Sequence, residues 1–286
     1  MSLARVWPAV PLLLATGCGR LGFDPAPGSG PDAGAGPGGG LGAFGAPVRI
    51  PELASSRDDL GASISADGSQ IVFASERSGA LQLYAARRAS PSAPFGAPAP
   101  IAHLDGASPF DPEQSGDSLE LLYVTSSAPG LRRASRVDAA SGWTSAAATM
   151  MAAGHEGPSL ALDDLRMLIA NKVGSGDATV LEEWQRASRS APWALLRTHD
   201  TLVGMTWPAI SADGLEAFVV SQEPSNRLFR ATRDSADDAF GPPAPVVFGS
   251  ELDAALVADP ELSADGHALY LSIFVGDNFD IYVATR

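Results

Sequence analysis

Ser65-Ala66-Asp67-Gly68-Ser69-Gln70-Ile71-Val72-Phe73-Ala74-Ser75-Glu76-Arg77 joins a tight-turn phrase to a run of β-forming residues. Ser-Ala-Asp-Gly returns at 211–214 and 263–266, and two altered copies carry Asp117 and Asp163. The five aspartates, Asp67, Asp117, Asp163, Asp213 and Asp265, stand 50, 46, 50 and 52 residues apart. A period this steady marks a repeat architecture and takes precedence over any local motif.

Working outward from the phrase, each unit reads as four short strands. A first strand leads into the turn, as in Ala62-Ser63-Ile64-Ser65. The second follows it: Ile71-Val72-Phe73-Ala74, Leu121-Leu122-Tyr123-Val124, Met167-Leu168-Ile169-Ala170, Ala217-Phe218-Val219-Val220 and Leu269-Tyr270-Leu271-Ser272. A third ends in arginine, as in Leu228-Phe229-Arg230-Ala231-Thr232-Arg233, and the fourth is an aromatic-Gly-Ala-Pro segment such as Phe95-Gly96-Ala97-Pro98. β-Branched and aromatic enrichment, strand lengths near five and intervening turn residues favour strands, and no stretch carries a long helical period. Repeated four-stranded units of this size are the blades of a β-propeller.

The ends of the chain predict how the ring closes. The last unit stops at Arg286 after its third strand, while an orphan fourth strand, Phe44-Gly45-Ala46-Pro47-Val48-Arg49-Ile50, precedes the first unit. Pairing the two completes a blade from both termini and removes exposed sheet edges. The expected fold is an all-β, five-bladed propeller over 44–286.

Ser65-Ala66-Asp67-Gly68, Ile71-Val72-Phe73-Ala74-Ser75-Glu76-Arg77 and the downstream Leu83-Tyr84-Ala85-Ala86-Arg87 resemble the WD40-like repeats of the TolB propeller, in the form found in bacterial lipoproteins. The resemblance spans 44–286. It departs at Ser118, which replaces the turn glycine of the second copy, and at Asp163-Asp164-Leu165 in the third. It implies a cell-envelope binding module and transfers no catalytic residue.

The amino terminus predicts the address. Arg5 precedes an apolar stretch over 6–15, too short to span a bilayer, which needs about 20 residues. Leu14-Ala15-Thr16-Gly17-Cys18 follows and resembles a bacterial lipobox, with the sole cysteine at the lipidation position. The expected organisation is a lipoprotein signal over 1–17, lipidation at Cys18, a Gly/Pro-rich tether over 18–43 and the propeller beyond. Gly19, standing where an inner-membrane retention aspartate would be, favours the outer membrane by the same resemblance. The lipid anchor is the only membrane contact expected.

Composition narrows the partners. The formal net charge is −14, and Lys172 is the only lysine among 19 basic residues. An acidic chain without a basic cluster repels phosphate backbones, so nucleic acid is disfavoured. One cysteine excludes an intrachain disulfide framework. The turn aspartates lie a blade apart, too far to share an ion, so neither metal nor other cofactor is expected. Residues 17–22 match G-x-G-x-x-G without a preceding strand, and no G-x-S-x-G elbow exists.

The first strand of each unit lines the central channel. Six residues before the turn aspartate stand Gly61, Asp111, Gly157, Trp207 and Asp259, and a proline follows four of them, as suits the first residue of a strand. The blade-to-blade loops add Asp59 and Glu156. Asp59, Asp111, Glu156, Trp207 and Asp259 are therefore the candidate ligand-binding residues, placed at the channel mouth. The expected role is non-enzymatic: a monomeric, lipid-anchored module that binds an envelope protein, peptide or glycan. The alternative is a glycoside hydrolase-like enzyme that uses a carboxylate pair, Asp59 with Glu156 or Asp259. Arg88, Arg136, Arg189, Arg233 and Arg286 hold matching places at the ends of the third strands, expected to cover apolar surface and pair with acidic neighbours. His103, His155, His199 and His267 read as unclustered loop and turn residues.

Overall fold

The computed structural model describes residues 42–286 apart from 105, 127–129, 147–149, 152, 174–177, 223–225 and 250. The signal segment 1–17, Cys18 and nearly all of the 18–43 tether lie outside the described residues.

A short strand, β1 (Val48–Arg49), opens the fold. Blade 1 holds β2 (Asp59–Ile64), β3 (Gln70–Ser75), β4 (Gln82–Arg87) and β5 (Ala99–Pro100). Blade 2 holds β6 (Pro109–Gln114), β7 (Glu120–Thr125), β8 (Leu131–Ser135) and β9 (Thr144–Ser145). Blade 3 holds β10 (His155–Leu160), β11 (Arg166–Lys172), β12 (Thr179–Gln185) and β13 (Ala194–His199). Blade 4 holds β14 (Met205–Ile210), β15 (Glu216–Ser221), β16 (Arg227–Thr232) and β17 (Ala244–Pro245). Blade 5 combines β18 (Leu256–Leu262), β19 (Ala268–Val275) and β20 (Asn278–Thr285) with β1. Each inner strand packs against the inner strands of both neighbouring blades, β18 beside β2, so the five sheets form a closed ring.

Burial explains the strand patterns. The second strands, β3 and β7 for example, are sandwiched between neighbouring blades and buried along their whole length, which is why they read as unbroken apolar runs. The third strands alternate, and the two-residue outer strands β1, β5 and β17 are exposed. Short edges carrying proline, as in Ala99–Pro100 and Ala244–Pro245, offer little to another sheet.

Closure follows the predicted register. Val48 pairs with Val283 and Arg49 with Tyr282, antiparallel. Gly45 N–H donates to the Thr285 carbonyl at 2.9 Å, as Gly241 N–H donates to Thr232 within blade 4. The Arg49 guanidinium grips Asp280 through two nitrogens at 2.9 and 3.1 Å.

The turn aspartates act as caps. Asp67 accepts from the Ser65 hydroxyl at 2.7 Å and the Ser69 N–H at 2.9 Å, and these bonds hold its carboxyl below the usual range. Asp117, Asp213 and Asp265 repeat the pattern, and Asp163 keeps its half of it by accepting the Leu165 N–H at 2.8 Å. The altered copies keep the turn because Ser118 and Asp164 both take a left-handed φ of 57°.

One arginine per blade locks each unit to the blade before it. Arg88, Arg136, Arg186, Arg233 and Arg286 each donate Nε–H to a turn carbonyl, at 2.6–2.7 Å. Each guanidinium also stacks on the fourth-segment aromatic, Phe95, Trp143, Trp193, Phe240 or Phe44, at 4.2–4.4 Å. Blade 3 corrects the expected set: Arg186 is the clamp, and Arg189 forms a half-exposed pair with Asp117 and Asp164. The reason is register, since Arg186 directly follows β12 as Arg88 and Arg136 follow β4 and β8. The clamps then cross to the preceding blade. Arg136 reaches Gln70 at 2.9 Å, Arg186 reaches Glu120 at 3.4 Å, Arg233 reaches both Glu183 oxygens at 2.9 Å and Arg286 reaches Glu216 at 2.7 Å.

Candidate functional site

The inner strands share a local device that positions the channel residues. In all five, pairing with the second strand slips at the same place, between Leu60 and Ser63 and at its four equivalents. The residue at the slip is left-handed in every blade: Gly61 at φ 62°, Asp111 at 46°, Gly157 at 58°, Trp207 at 43° and Asp259 at 46°. The proline after four of them thus lies inside a strand at a bulge, not at a strand's start as its sequence position suggests. Three non-glycine residues in this region store strain of about 1–3 kcal/mol each. Gly157 has to be small as well, because a Cβ there would come within 3.1 Å of Trp207.

The bulge brings Asp111, Trp207 and Asp259 onto one cavity with Gly61 and Gly157. All three are buried, and Asp111 accepts the Gly157 N–H of the next blade at 3.1 Å. The cavity amounts to about 20 Å³, room for a water and too little for a sugar ring. Asp59 and Glu156 do not line it. Asp59 is fully buried, bridged to Arg77 at 2.7 Å and capped by the Ser55 N–H at 2.6 Å. Glu156 pairs with Lys172 at 2.7 Å on a partly exposed rim. Of the five residues predicted to share a mouth, three converge and two are drawn into ion pairs of their own blades.

Two carboxylates missed by sequence reading, Glu113 and Glu261, line the same cavity. They stand four residues before the turn aspartate, in a ring of bonds from one inner strand to the next. Ser63 accepts the Gln114 N–H at 2.9 Å, Glu113 the Leu160 N–H at 2.7 Å, Ser159 the Ile210 N–H at 2.9 Å and Glu261 the Ile64 N–H at 3.1 Å. Blade 4 has Ala209 at this position, which carries no acceptor. The period could have shown the series Ser63, Glu113, Ser159, Ala209, Glu261, but only the fold shows that it faces inward. Ser63 bonds both glutamates, with its hydroxyl 3.3 Å from Glu113. Burial pushes both carboxyls up: Glu113 well above its ordinary value, with the nearby Glu261 adding repulsion, and Glu261 to about 8.

Elsewhere the histidines depart from expectation. His199 ends β13 fully buried, 3.2 Å from Glu183, with its ring against Phe240. His155 opens β10 and meets Glu182 at 3.1 Å. Both belong to strands, and β12 supplies the carboxylate for each, from the adjoining strand for His199 and from across β11 for His155. No group of three or more His, Cys, Asp or Glu side chains suited to a metal exists among the described residues.

No family model matches the chain, and no curated protein does. Among solved structures, it is similar to a GH43_1 enzyme from Xanthomonas citri, at 13% identity over 84% of this chain and 90% of that one, with a TM-score of 0.58. It is similar also to the catalytic domain of the Coprinopsis cinerea GH62 α-L-arabinofuranosidase, at 11% identity over 85% and 96%, TM-score 0.55. TolB from Acinetobacter baumannii matches at 14% identity over 82% of this chain, TM-score 0.49, and the chain spans 56% of that protein's length. At these identities the likeness is one of fold, and the chain is a five-bladed β-propeller.

Proposed function

We propose that the chain is a lipid-anchored, non-catalytic module of the bacterial cell envelope that binds a protein, peptide or glycan. The observation that carries this reading is the use to which the channel acids are put. Asp111, Glu113 and Glu261 each accept a backbone N–H of a neighbouring blade around a void of about 20 Å³. Groups engaged in this way hold blades together and leave no room for a saccharide. The address rests on Cys18 at the end of its lipobox and on the Gly/Pro tether behind it.

The face opposite the Asp-Gly turns supplies the binding surface. Val203 and Leu256 stand at or just before the starts of inner strands, and Val173 and Val275 at or just after the ends of second strands, so antiparallel order puts all four on that face. Each is exposed, Val203 to 58%. Apolar side chains left in water on one face mark an interaction surface. The test is capture from envelope extracts by the full-length protein, by Val203→Asp/Val275→Asp and by Leu162→Asp on the turn face. Loss in the first variant alone supports the reading, and equal capture by all three overturns it. Palmitate labelling that persists in Cys18→Ala would remove the anchor.

A second reading has an observation of its own. Glu261, protonated up to about pH 8, shares a cavity with Asp111 and Asp259, and a raised carboxyl beside other carboxylates is the arrangement of a glycosidic general acid. Turnover of aryl arabinofuranosides or xylosides that disappears in Asp111→Asn/Asp259→Asn would establish it. Turnover that survives the double change, or none at all, would leave the binding module.

A further inference from the structure

A groove of about 550 Å³, far roomier than the channel cavity, lies between blades 5 and 1 on the turn face. Its origin lies in the clamp pattern. In blades 1, 2 and 4, the residue three positions after the turn aspartate is Gln70, Glu120 or Glu216, and its side chain meets the clamp arginine of the next blade. Blade 3 has Arg166 there and supplies Glu183 in its stead. Blade 5 has Ala268.

Arg88, the clamp facing Ala268, therefore makes no ion pair with a described residue. Its Nε–H goes to the Gly68 carbonyl and one Nη2 hydrogen to the Tyr270 hydroxyl at 3.0 Å, while its face stacks on Phe95. Both Arg88 and Ala268 line the groove. The other charged groups on its wall are largely engaged: Arg49 with Asp280, and Asp67 and Asp265 with the donors of their own turns. Glu52 stands exposed at the rim. The remaining walls are mostly apolar, from Ile50, Ile64, Pro91, Phe95 and Val283, with Ser92, Ser263 and Thr285 among them.

We infer that this seam is a binding site for a small molecule that joins a carboxylate to an apolar body, the carboxylate taking the place beside Arg88 that a glutamate or glutamine side chain fills in the other blades. Four equivalent interfaces in the same molecule show what this arginine accepts: three carboxylates and one amide. Charge-assisted pairing with a guanidinium fixes the acid, and a groove of this volume, mostly apolar, is the size of a small-ligand site.

The experiment is calorimetric titration of the full-length chain with decanoate, and with methyl decanoate as the uncharged control. Saturable binding of decanoate, at least about tenfold tighter than of the ester, is expected, tenfold being what one charge-assisted bond supplies. Ala268→Glu restores the missing partner from within, so it should weaken decanoate at least about tenfold while raising the thermal midpoint. Arg88→Met should also lose binding, and Ala268→Glu decides the matter if that variant does not fold. Absence of saturable binding, equal affinity for the ester, or unchanged affinity in Ala268→Glu would each overturn the site.

Discussion

Two sets of buried carboxylates run through this molecule, and they are held by different partners. The outer ring, Glu120, Glu183 and Glu216, faces the clamp arginines between blades. The inner pair, Glu113 and Glu261, faces the channel and bonds backbone N–H groups and Ser63. Burial would raise Glu183 too, but hydrogen bonds and charge from His199 and Arg233 outweigh it and hold that carboxyl at about 2. Glu261, also buried but without such partners to outweigh the burial, rises to about 8. Burial alone does not set the sign; the partner does.

The largest test of that contrast is Glu183→Ala. Glu183 has no exposed side-chain surface, and Arg166, Arg197, Arg233 and His199 all lie within 3.3 Å. Removing it leaves buried cations uncompensated, an expected loss of about 3–5 kcal/mol at pH 7 in denaturant melts. The folded carboxyl titrates below its unfolded value of 4.5, so its contribution is complete above pH 4.5 and is lost as pH falls towards 2. The gap between variant and wild type should close over that window; a gap that stays constant would remove Glu183 as the hub.

Arg186→Ala comes next, at about 2–3 kcal/mol, since it loses a carbonyl bond, the Glu120 contact and stacking on Trp193. Arg189→Ala, on a half-exposed pair, should cost under about 1 kcal/mol. Thermal melts that reversed this order would restore Arg189 as the clamp.

For the inner pair the sign inverts. The folded Glu261 carboxyl titrates above its unfolded value, so its protonated form contributes below pH 4.5 and that contribution is lost as pH rises through about 8. Glu261→Gln, a neutral isostere, should match wild type below pH 4.5 and exceed it at pH 9. A variant less stable at pH 9 would show that the channel prefers the ionised acid. The smallest effect is Ala209→Ser, which supplies the acceptor missing from the inner ring and should add about 0.5–1 kcal/mol. No gain in the unfolding midpoint would mean that the Leu262 N–H is already satisfied.

What could be read in advance follows the range of the interactions involved. The turn phrase, the unbroken second strands and the aromatic-Gly-Ala-Pro segments are local signals, each settled within about five residues, and they gave blade number, strand order and closure. Asp111, Trp207 and Asp259 were legible as a set because the repeat phase puts them at one height on the axis. Asp59 and Glu156 were assigned to the same rim, yet Arg77, just beyond β3, and Lys172, at the end of β11, claimed them. Arg189 looked equivalent to the clamps by spacing, and only the end of β12 showed that Arg186 stands at that register.

The sequence by itself determined a five-fold repeat that closes through its own ends, because turn chemistry and strand pattern are fixed by neighbours along the chain. The tertiary structure alone decided which buried carboxylates meet arginines and which meet Ser63 and backbone N–H groups, and where Ala268 leaves a clamp without its acid. The pairings that cross a blade boundary join residues some 50 to about 200 positions apart, and they depend on side-chain reach and burial that no local pattern encodes.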